Sequence, residues 1–225
     1  MQTPAAPDTF LVTRRAYTGV ILGLLVGAFL SFAIAPWLMP DSYSPLENAI
    51  SESAGQGVQN AWLARTGFLL LGFAVLLTAN AAGSSWNVWG RVAHRAYGVA
   101  IIAAAAYAHM PWEDEPYDHF EDFLHSMAAS AVGVAFIVGV LLVSIRRPAG
   151  QAARRAFDWF AIVASVGISM MMFNFVEFAG AMQRAMFATG MVWYGLEAIR
   201  WWRGEPTVSE DLVPSETALV SAQRT

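Results

Sequence analysis

The chain has 225 residues, of which 56% are hydrophobic and only 13% are charged, and its formal net charge is −4. A soluble domain carries about a quarter of its residues as Asp, Glu, Lys and Arg, so this composition is typical of a polytopic membrane protein. Cysteine and lysine are both absent, which excludes disulfides, thiolate chemistry and lysine Schiff bases, and the acidic balance argues against a nucleic-acid partner.

Six apolar runs follow one another along the chain, each close to the ~20 residues that cross a bilayer as a helix. They lie at 17–39, 62–82, 96–111, 124–145, 157–179 and 184–202. The third and sixth are the weakest, the third because it is short and rich in alanine. The sequence predicts an all-α polytopic membrane protein. A bundle of six transmembrane helices fills residues 17–203, between a polar tail at 1–16 and a disordered tail at 204–225.

Arginines alternate with acidic loops, and this asymmetry predicts the orientation of the helices. The loops at 40–61 and 110–123 contain no basic residue. The other connections and the two ends of the bundle carry Arg14, Arg15, Arg91, Arg95, Arg146, Arg147, Arg154, Arg155, Arg200 and Arg203. By the positive-inside rule both termini are cytoplasmic, and the protein lies in the cell (cytoplasmic) membrane. Arg65 and Arg184 fall at outer helix ends, where we expect acidic partners such as Glu177.

An acidic and histidine-rich stretch at 107–125 lies between the third and fourth runs and holds three of the four histidines. If a helix begins near Asp118, then Asp122 and His125 lie on one face of it, where they resemble a helical pair of metal ligands. The candidate metal ligands are His109, Asp122 and His125. Oxygen and imidazole ligands suit a divalent metal such as Zn. Asp118 and Glu121 also match a capping box, which requires no metal.

The first outer loop is rich in Ser, Asn, Gln and Gly, a composition that favours a structured excursion at the membrane face. Within it, Ser51 stands beside Glu52 and invites interpretation as a nucleophile. No G-x-S-x-G elbow surrounds Ser51, so a capping or loop role is favoured.

Two features are interpreted as structural. Gly19, Gly23 and Gly27 are spaced by four, which predicts that one face of the first helix packs closely on a neighbour. The arginine-bearing connections hold little else that is ionisable, and His94 among them is interpreted as an interfacial side chain.

Three segments together resemble a known family. They are SPLENAISESAG…WLARTGFLLLG, AHMPWEDEP…FLHSMAASAVGVAF and GAMQRAMFATGMVWYGLEAIR. The chain resembles, over residues 17–202, the six-span prokaryotic membrane proteins known as domain of unknown function 998. In the family's aromatic-Pro turn, Met110 stands in place of Phe. The resemblance implies a prokaryotic protein with a shared outer-face constellation, and supports Ser51, Asp114, His125, Gln183 and Arg184 as its members.

A weaker likeness runs to membrane hydrolases of the alkaline-ceramidase and adiponectin-receptor type. Those enzymes combine a serine, an aspartate and three histidines around zinc. This chain has no histidine after His125, so it departs from their pattern.

The leading hypothesis is a membrane protein that binds a lipid or small amphipathic ligand in a polar pocket at the outer membrane face. The candidate ligand-binding residues are Ser51, Glu52, Arg65, Asp114, Asp118, Glu177, Gln183 and Arg184. The first alternative is a metal-dependent membrane hydrolase acting on lipids, with His125, His109 and aspartate ligands. The second is an accessory subunit of a membrane complex, with membrane lipids and an unidentified membrane protein as partners. Whether the protein is an enzyme stays open.

Overall fold

The computed structural model describes residues 9–113 and 115–203, and every regular element in that part of the chain is a helix. Six helices are long: α1 Thr9–Ile34, α3 Ala61–Ala82, α4 Val88–Ala106, α5 His119–Ser144, α6 Ala152–Met172 and α7 Ala179–Arg203. A single short helix, α2 Ile50–Ser53, lies in the first loop, and turns of 3-10 helix follow α1 and α3 and precede α6 and α7. The all-α prediction is confirmed.

The helices begin earlier than the apolar runs that predicted them, because their first turns are polar. The fourth run starts at residue 124, whereas α5 begins at His119, directly after the Asp118 cap. The Asp118 carboxylate accepts the backbone N–H groups of Phe120 and Glu121 at 2.8 and 3.1 Å. These two N–H groups have no acceptor within the helix, because they belong to its first turn. The Asp118 side chain therefore supplies the acceptor that the helix backbone lacks.

Four of the helical segments are long and apolar enough to cross a membrane: Arg14–Leu38, Ala61–Ser85, His119–Ser144 and Ala152–Met172. The molecule is therefore built as a membrane protein. Helices α4 and α7 are less apolar, since each carries charged side chains within its length. They correspond to the two runs that were weakest in the sequence, and the count of six spans stays a prediction.

The long helices form a ring in chain order, and α7 closes it by packing against α1 as well as α6. Helix α7 also contacts α3, so its apolar face reaches the centre of the bundle. Three phenyl rings meet there: Phe32 lies 4.9 Å from Phe68 and 5.7 Å from Phe187, measured between ring centroids. Aromatic pairs at these separations contribute roughly 0.5–1.5 kcal/mol each beyond their burial.

Close packing of helices at glycine residues occurs between α3 and α4, whereas the sequence predicted it for the first helix. Helices α3 and α4 approach so closely at Gly72 and Gly98 that a Cβ on either would lie about 3 Å from the other's carbonyl oxygen (2.9 and 3.0 Å). Gly19 and Gly23, by contrast, have no atom within 4 Å of a Cβ position. The close-packing prediction is therefore wrong for these two glycines within the chain, although Gly27 does contact Leu70.

The two ends of the bundle differ in chemistry. We call the end with residues 35–60 and 107–118 the capped end, and the end with residues 83–87 and 145–151 the arginine end. The predicted orientation places the capped end outside the cell. Because the chain has no cysteine, single-cysteine variants test this directly. A membrane-impermeant maleimide should label Ser42→Cys in intact cells and Gly150→Cys only after lysis. The reverse pattern would invert the topology.

Candidate functional site

Arg184 fixes the first loop over the capped end of the bundle. Its Nη1 donates to the carbonyl oxygens of Pro45, Asn48 and Gly180 at 2.7–3.0 Å. Its Nη2 donates to the Tyr43 hydroxyl at 2.7 Å. Residues 40–60 therefore form a docked cap, and Arg184 holds the half of that cap that precedes α2.

Arg65 holds the half of the cap that follows α2. Its Nε donates to the Ala54 carbonyl at 2.9 Å, and its Nη2 donates to the Gly55 carbonyl at 3.0 Å. The acidic partners expected for Arg65 and Arg184 are therefore wrong, since backbone oxygens take their place. Glu177 is exposed in the turn before α7, and no described residue pairs with it.

Gln56 links the cap to the second loop of the capped end. Its side-chain amide donates to the carbonyls of Ala108 and Asp118 at 3.1 and 3.0 Å, and its Oε1 accepts from the Asp118 N–H at 2.7 Å. The Tyr43 ring also packs edge-on against Trp112, with 5.1 Å between centroids. The two loops thus form one structured surface, as the polar composition of the first loop predicted.

Two further carboxylates have structural roles at the capped end. Glu52 accepts the N–H of Ala49 at the start of α2. Glu121 accepts the N–H of Ala108 at 2.7 Å, so it satisfies the chain after α4 and does not complete a capping box with Asp118. With Asp118 already identified as the α5 cap, none of these three side chains is free to hold a ligand by itself.

His109, Asp122 and His125 do lie together, as the sequence predicted. The His109 Nδ1 is 2.6 Å from the Asp122 carboxylate, which also accepts the Met110 N–H at 2.9 Å. The His109 and His125 rings are stacked with centroids 5.0 Å apart. His125 is buried, and its Nδ1 lies 2.8 Å from the Tyr107 carbonyl and 3.1 Å from that of Ala104.

The His109 and His125 Nδ1 atoms and the Asp122 carboxylate, which could bind a metal, already contact other groups of the protein. In the described ranges 9–113 and 115–203, no group of three His, Asp or Glu side chains is placed to share one metal ion. Asp114, a candidate from the sequence, lies outside the described residues. Zinc at His109, Asp122 and His125 stays a prediction.

An apolar groove of about 470 Å³ runs between α1 and α7 at the capped end. Its walls are Phe29, Phe32, Ala33, Pro36, Trp37, Pro45, Ile50, Phe187, Ala188 and Met191, together with Arg184. Arg184 is the charged member of this set. Arg65, which the sequence analysis also named as a candidate ligand-binding residue, is not part of the lining.

A second, buried cavity of about 120 Å³ lies beneath the cap, within the bundle. Three predicted site residues contribute to its lining: Ser51 from α2, His125 from α5 and Gln183 from α7. The Gln183 Oε1 also accepts the Ile50 N–H at 2.6 Å, which joins α7 to the cap. The structure thus brings together three of the five residues that the family resemblance grouped.

The arginine end contains a buried charge cluster that the sequence analysis missed. Arg147 is only 4% exposed and makes two hydrogen bonds to Asp158, while its Nη2 lies 2.8 Å from a Glu197 oxygen. Burial lowers the pKa of Arg147, but the Asp158 and Glu197 carboxylates outweigh that effect and hold the pKa above its ordinary value. Trp193 and Trp86 donate indole N–H groups to the same two carboxylates at 2.8 and 3.2 Å.

His94 belongs to this cluster and is not an interfacial side chain. It is fully buried, and its ring stacks on Trp193 with 4.9 Å between centroids. Its Nδ1 lies 2.7 Å from the Tyr194 hydroxyl. A Cβ at Gly139 would lie 2.8 Å from the imidazole, so the glycine makes room for the ring. The interpretation from sequence is therefore wrong.

A signal for this cluster was present in the sequence. Asp158 and Glu197 lie inside the fifth and sixth apolar runs, where an ionisable side chain is costly unless it is paired. Arg147 lies just beyond the fourth run, so its charge could be assigned to the positive-inside pattern alone. Because Arg147 was assigned to the positive-inside pattern with the other arginines, the sequence analysis did not identify it as buried.

Comparison with known proteins places the chain in one family. The family model described as Protein of unknown function (DUF998) matches residues 20–200. A search of curated proteins and a search of solved structures each found no significant match.

Proposed function

The chain belongs to the DUF998 family, whose function is unknown, and we propose that it binds an amphipathic ligand with an anionic headgroup at its capped end. The observation that carries this proposal is Arg184, a guanidinium without a carboxylate partner among the described residues that lines an apolar groove. Clefts that hold small ligands combine apolar walls with a few placed polar groups in this way.

The hydrogen-bond inventory of Arg184 leaves room for a headgroup. A guanidinium has five N–H donors, of which the two on Nη1 serve two cap carbonyls and the Gly180 carbonyl of α7, and one on Nη2 serves Tyr43. No described residue accepts from Nε. The Nε–H and the second Nη2–H therefore remain for an anionic oxygen, and charge-assisted bonds of this kind are about twice as strong as neutral ones.

The groove supplies the apolar half of the recognition. Phe29 and Trp37 are exposed, so the groove opens towards the lipid-facing side of α1. An acyl chain lying along α1 and α7 would pack against these rings through van der Waals contacts, the form of apolar recognition that is available inside a bilayer. The proposed site thus serves a membrane lipid better than a water-soluble ion. In the predicted orientation it faces the outside of a prokaryotic cytoplasmic membrane.

Arg184→Gln tests the proposal, because it removes the charge and keeps an amide that can donate to the cap. The purified protein should bind dioleoylphosphatidylglycerol in preference to dioleoylphosphatidylcholine, as measured by native mass spectrometry. We expect Arg184→Gln to weaken binding of the anionic lipid by roughly tenfold or more, which corresponds to the loss of a charged hydrogen bond.

Arg65→Gln is the matched control. Arg65 also holds the cap through carbonyl oxygens but does not line the groove. It should keep the wild-type preference for the anionic lipid. Equal losses in the two variants, or a wild-type protein that does not distinguish the two lipids, would show that Arg184 only supports the cap.

The other functions suggested by the sequence stay predictions. A metal-dependent lipid hydrolase would need His109, Asp122 and His125 to direct their ligand atoms at one metal ion, and the described ranges hold no group of three side chains so placed. A role as an accessory subunit of a membrane complex would place a partner protein on the bundle. Neither has a specific contact in its favour.

A further inference from the structure

The buried cavity beneath the cap has a polar end that the proposed function does not use. Ser51, His125 and Gln183 contribute their polar side chains to its lining. The remaining lining is apolar apart from Ser169, whose hydroxyl donates to the Ser165 carbonyl at 2.8 Å. The cavity therefore combines an apolar wall with three convergent polar groups.

The hydrogen bonds that His125 and Gln183 already make determine which of their donor and acceptor atoms remain for a ligand. The His125 Nδ1 faces two carbonyl oxygens, so it carries the proton and Nε2 is an acceptor. The Gln183 Oε1 accepts from Ile50, so its amide nitrogen is a donor. No described residue bonds to the His125 Nε2, the Gln183 amide nitrogen or the Ser51 hydroxyl. Buried polar groups without partners are costly, and an occupant of the cavity would satisfy them.

The chemistry of the lining selects the occupant. No charged side chain lines the cavity, so a charged headgroup would be buried without a counter-ion at high cost. A hydroxyl can donate to the His125 Nε2 and accept from the Gln183 amide at the same time. The volume of about 120 Å³ is enough for a glycerol-sized group, and the uncharged lining disfavours a phosphodiester headgroup.

The cavity is reached from the lipid side. The cap residues above it are buried, with Ile50, Ser53 and Ala54 each about 1% exposed, so the cap closes the aqueous side. Ala129, which lines the cavity, is exposed on α5. A narrow crevice shares Gly133 with the cavity and continues between α5, α6 and α7 as far as Gly190. The crevice itself holds only about 30 Å³, so the acyl chains would lie on the lipid-facing surface beside Ala129 while the polar end enters the cavity.

We propose that this cavity binds the free hydroxyl end of a neutral glycerolipid of the mono- or diacylglycerol class. The site is distinct from the groove of the proposed function, because Arg184 lines only the groove. Phe187 lines both spaces and separates them. Either site can exist without the other.

Dioctanoylglycerol is the probe, titrated into the full-length protein in detergent and followed by its effect on the melting temperature. We expect saturable stabilisation of the wild type, about tenfold weaker binding to Ser51→Ala through the loss of one hydrogen bond, and none to Gly133→Leu, whose side chain fills the mouth. The O-methyl ether of the same lipid should bind at least tenfold more weakly, since it cannot donate to His125.

Gly167→Leu is the control for a bulky residue, because neither Gly133 nor Gly167 has an atom within 4 Å of its Cβ position and Gly167 does not line the cavity. It should bind dioctanoylglycerol like the wild type. The proposal is overturned if the wild type shows no saturable response, which would leave the cavity to water. Unchanged binding to Gly133→Leu, or equal binding of the ether, would overturn it as well.

Discussion

Replacing Arg147 by alanine should destabilise the protein strongly. The substitution leaves the Asp158 carboxylate, 1% exposed, without its guanidinium partner, whereas Glu197 keeps a contact with Arg200 at 3.3 Å. Breaking a buried ion pair by removing one partner costs roughly 3–5 kcal/mol, a large fraction of the free energy of unfolding of a typical domain. We expect a markedly lower melting temperature in detergent. Size-exclusion chromatography of samples heated to increasing temperatures measures it.

The neighbouring arginine provides the control. Arg146 is exposed, and exposed charges contribute little to stability, so Arg146→Ala should melt close to the wild type. Both substitutions remove one positive charge from the same loop, so they alter the positive-inside pattern equally. Similar melting temperatures for the two variants would mean that the Arg147 cluster is not the buried network described above.

Gly180→Ala should release the cap from α7. A Cβ at this position would overlap the Asn48 carbonyl and lie 2.8 Å from the Pro45 oxygen. The cap backbone must then move, with loss of the 3.0 Å hydrogen bond from the Gly180 N–H to the Glu47 carbonyl. Overpacking of this kind costs roughly 1–3 kcal/mol, so at about 2 kcal/mol, the middle of this range, the undocked cap becomes roughly 30-fold better populated.

Maleimide labelling of a Ser53→Cys reporter measures this opening, because Ser53, in α2 of the docked cap, is only 1% exposed. The reporter should label at least about tenfold faster with Gly180→Ala than without it. Gly195→Ala is the control on the same helix, where the nearest atom to a Cβ is 3.9 Å away. Equal labelling of both double variants would show that the cap does not depend on its contact with Gly180.

The helices could be predicted from the sequence because the membrane simplifies the problem. Apolar runs of sufficient length must be helical in lipid, and all six predicted runs coincide with long helices. Their starts were displaced by the polar first turns, as at Asp118 before α5. Hydrophobicity detects the part of a helix that contacts apolar surroundings and does not detect its cap.

The partners of the charged side chains could not be predicted in the same way. Arg65 and Arg184 lie among acidic residues in the sequence, yet both donate to backbone carbonyls of the cap. A guanidinium with several donors can satisfy a run of carbonyl oxygens that has no other partner. Sequence shows which side chains carry charge, but not where a folded loop leaves its backbone groups unsatisfied.

The predicted grouping of site residues was correct for some members only. His125, Gln183 and Ser51 line one cavity, and His109 and Asp122 are hydrogen-bonded beside it. Glu52 and Asp118, in contrast, serve the backbone of the capped end. Polar residues in an ordered loop serve either a ligand or the loop itself, and only contacts distinguish the two roles.

The two ends of the bundle use buried polar groups differently. At the arginine end, Arg147 faces two carboxylates and two indole N–H groups share those carboxylates. At the capped end, Arg184 has no carboxylate partner among the described residues and borders an open groove. A buried guanidinium held by two carboxylates has its charge balanced within the fold, whereas a guanidinium without a carboxylate partner beside a groove can select a ligand.

Photo-crosslinking in lipid nanodiscs tests the proposed lipid site most directly. A phosphatidylglycerol with a diazirine in its acyl chain should give adducts concentrated at residues 29–37, in α1 and the 3-10 turn that follows it, and at residues 188–191 of α7, mapped by peptide mass spectrometry. Arg184→Gln should remove most of these adducts, and Arg65→Gln should keep them. Adducts spread evenly over the lipid-facing surfaces of all helices, with the same pattern in Arg184→Gln, would contradict a headgroup site at Arg184.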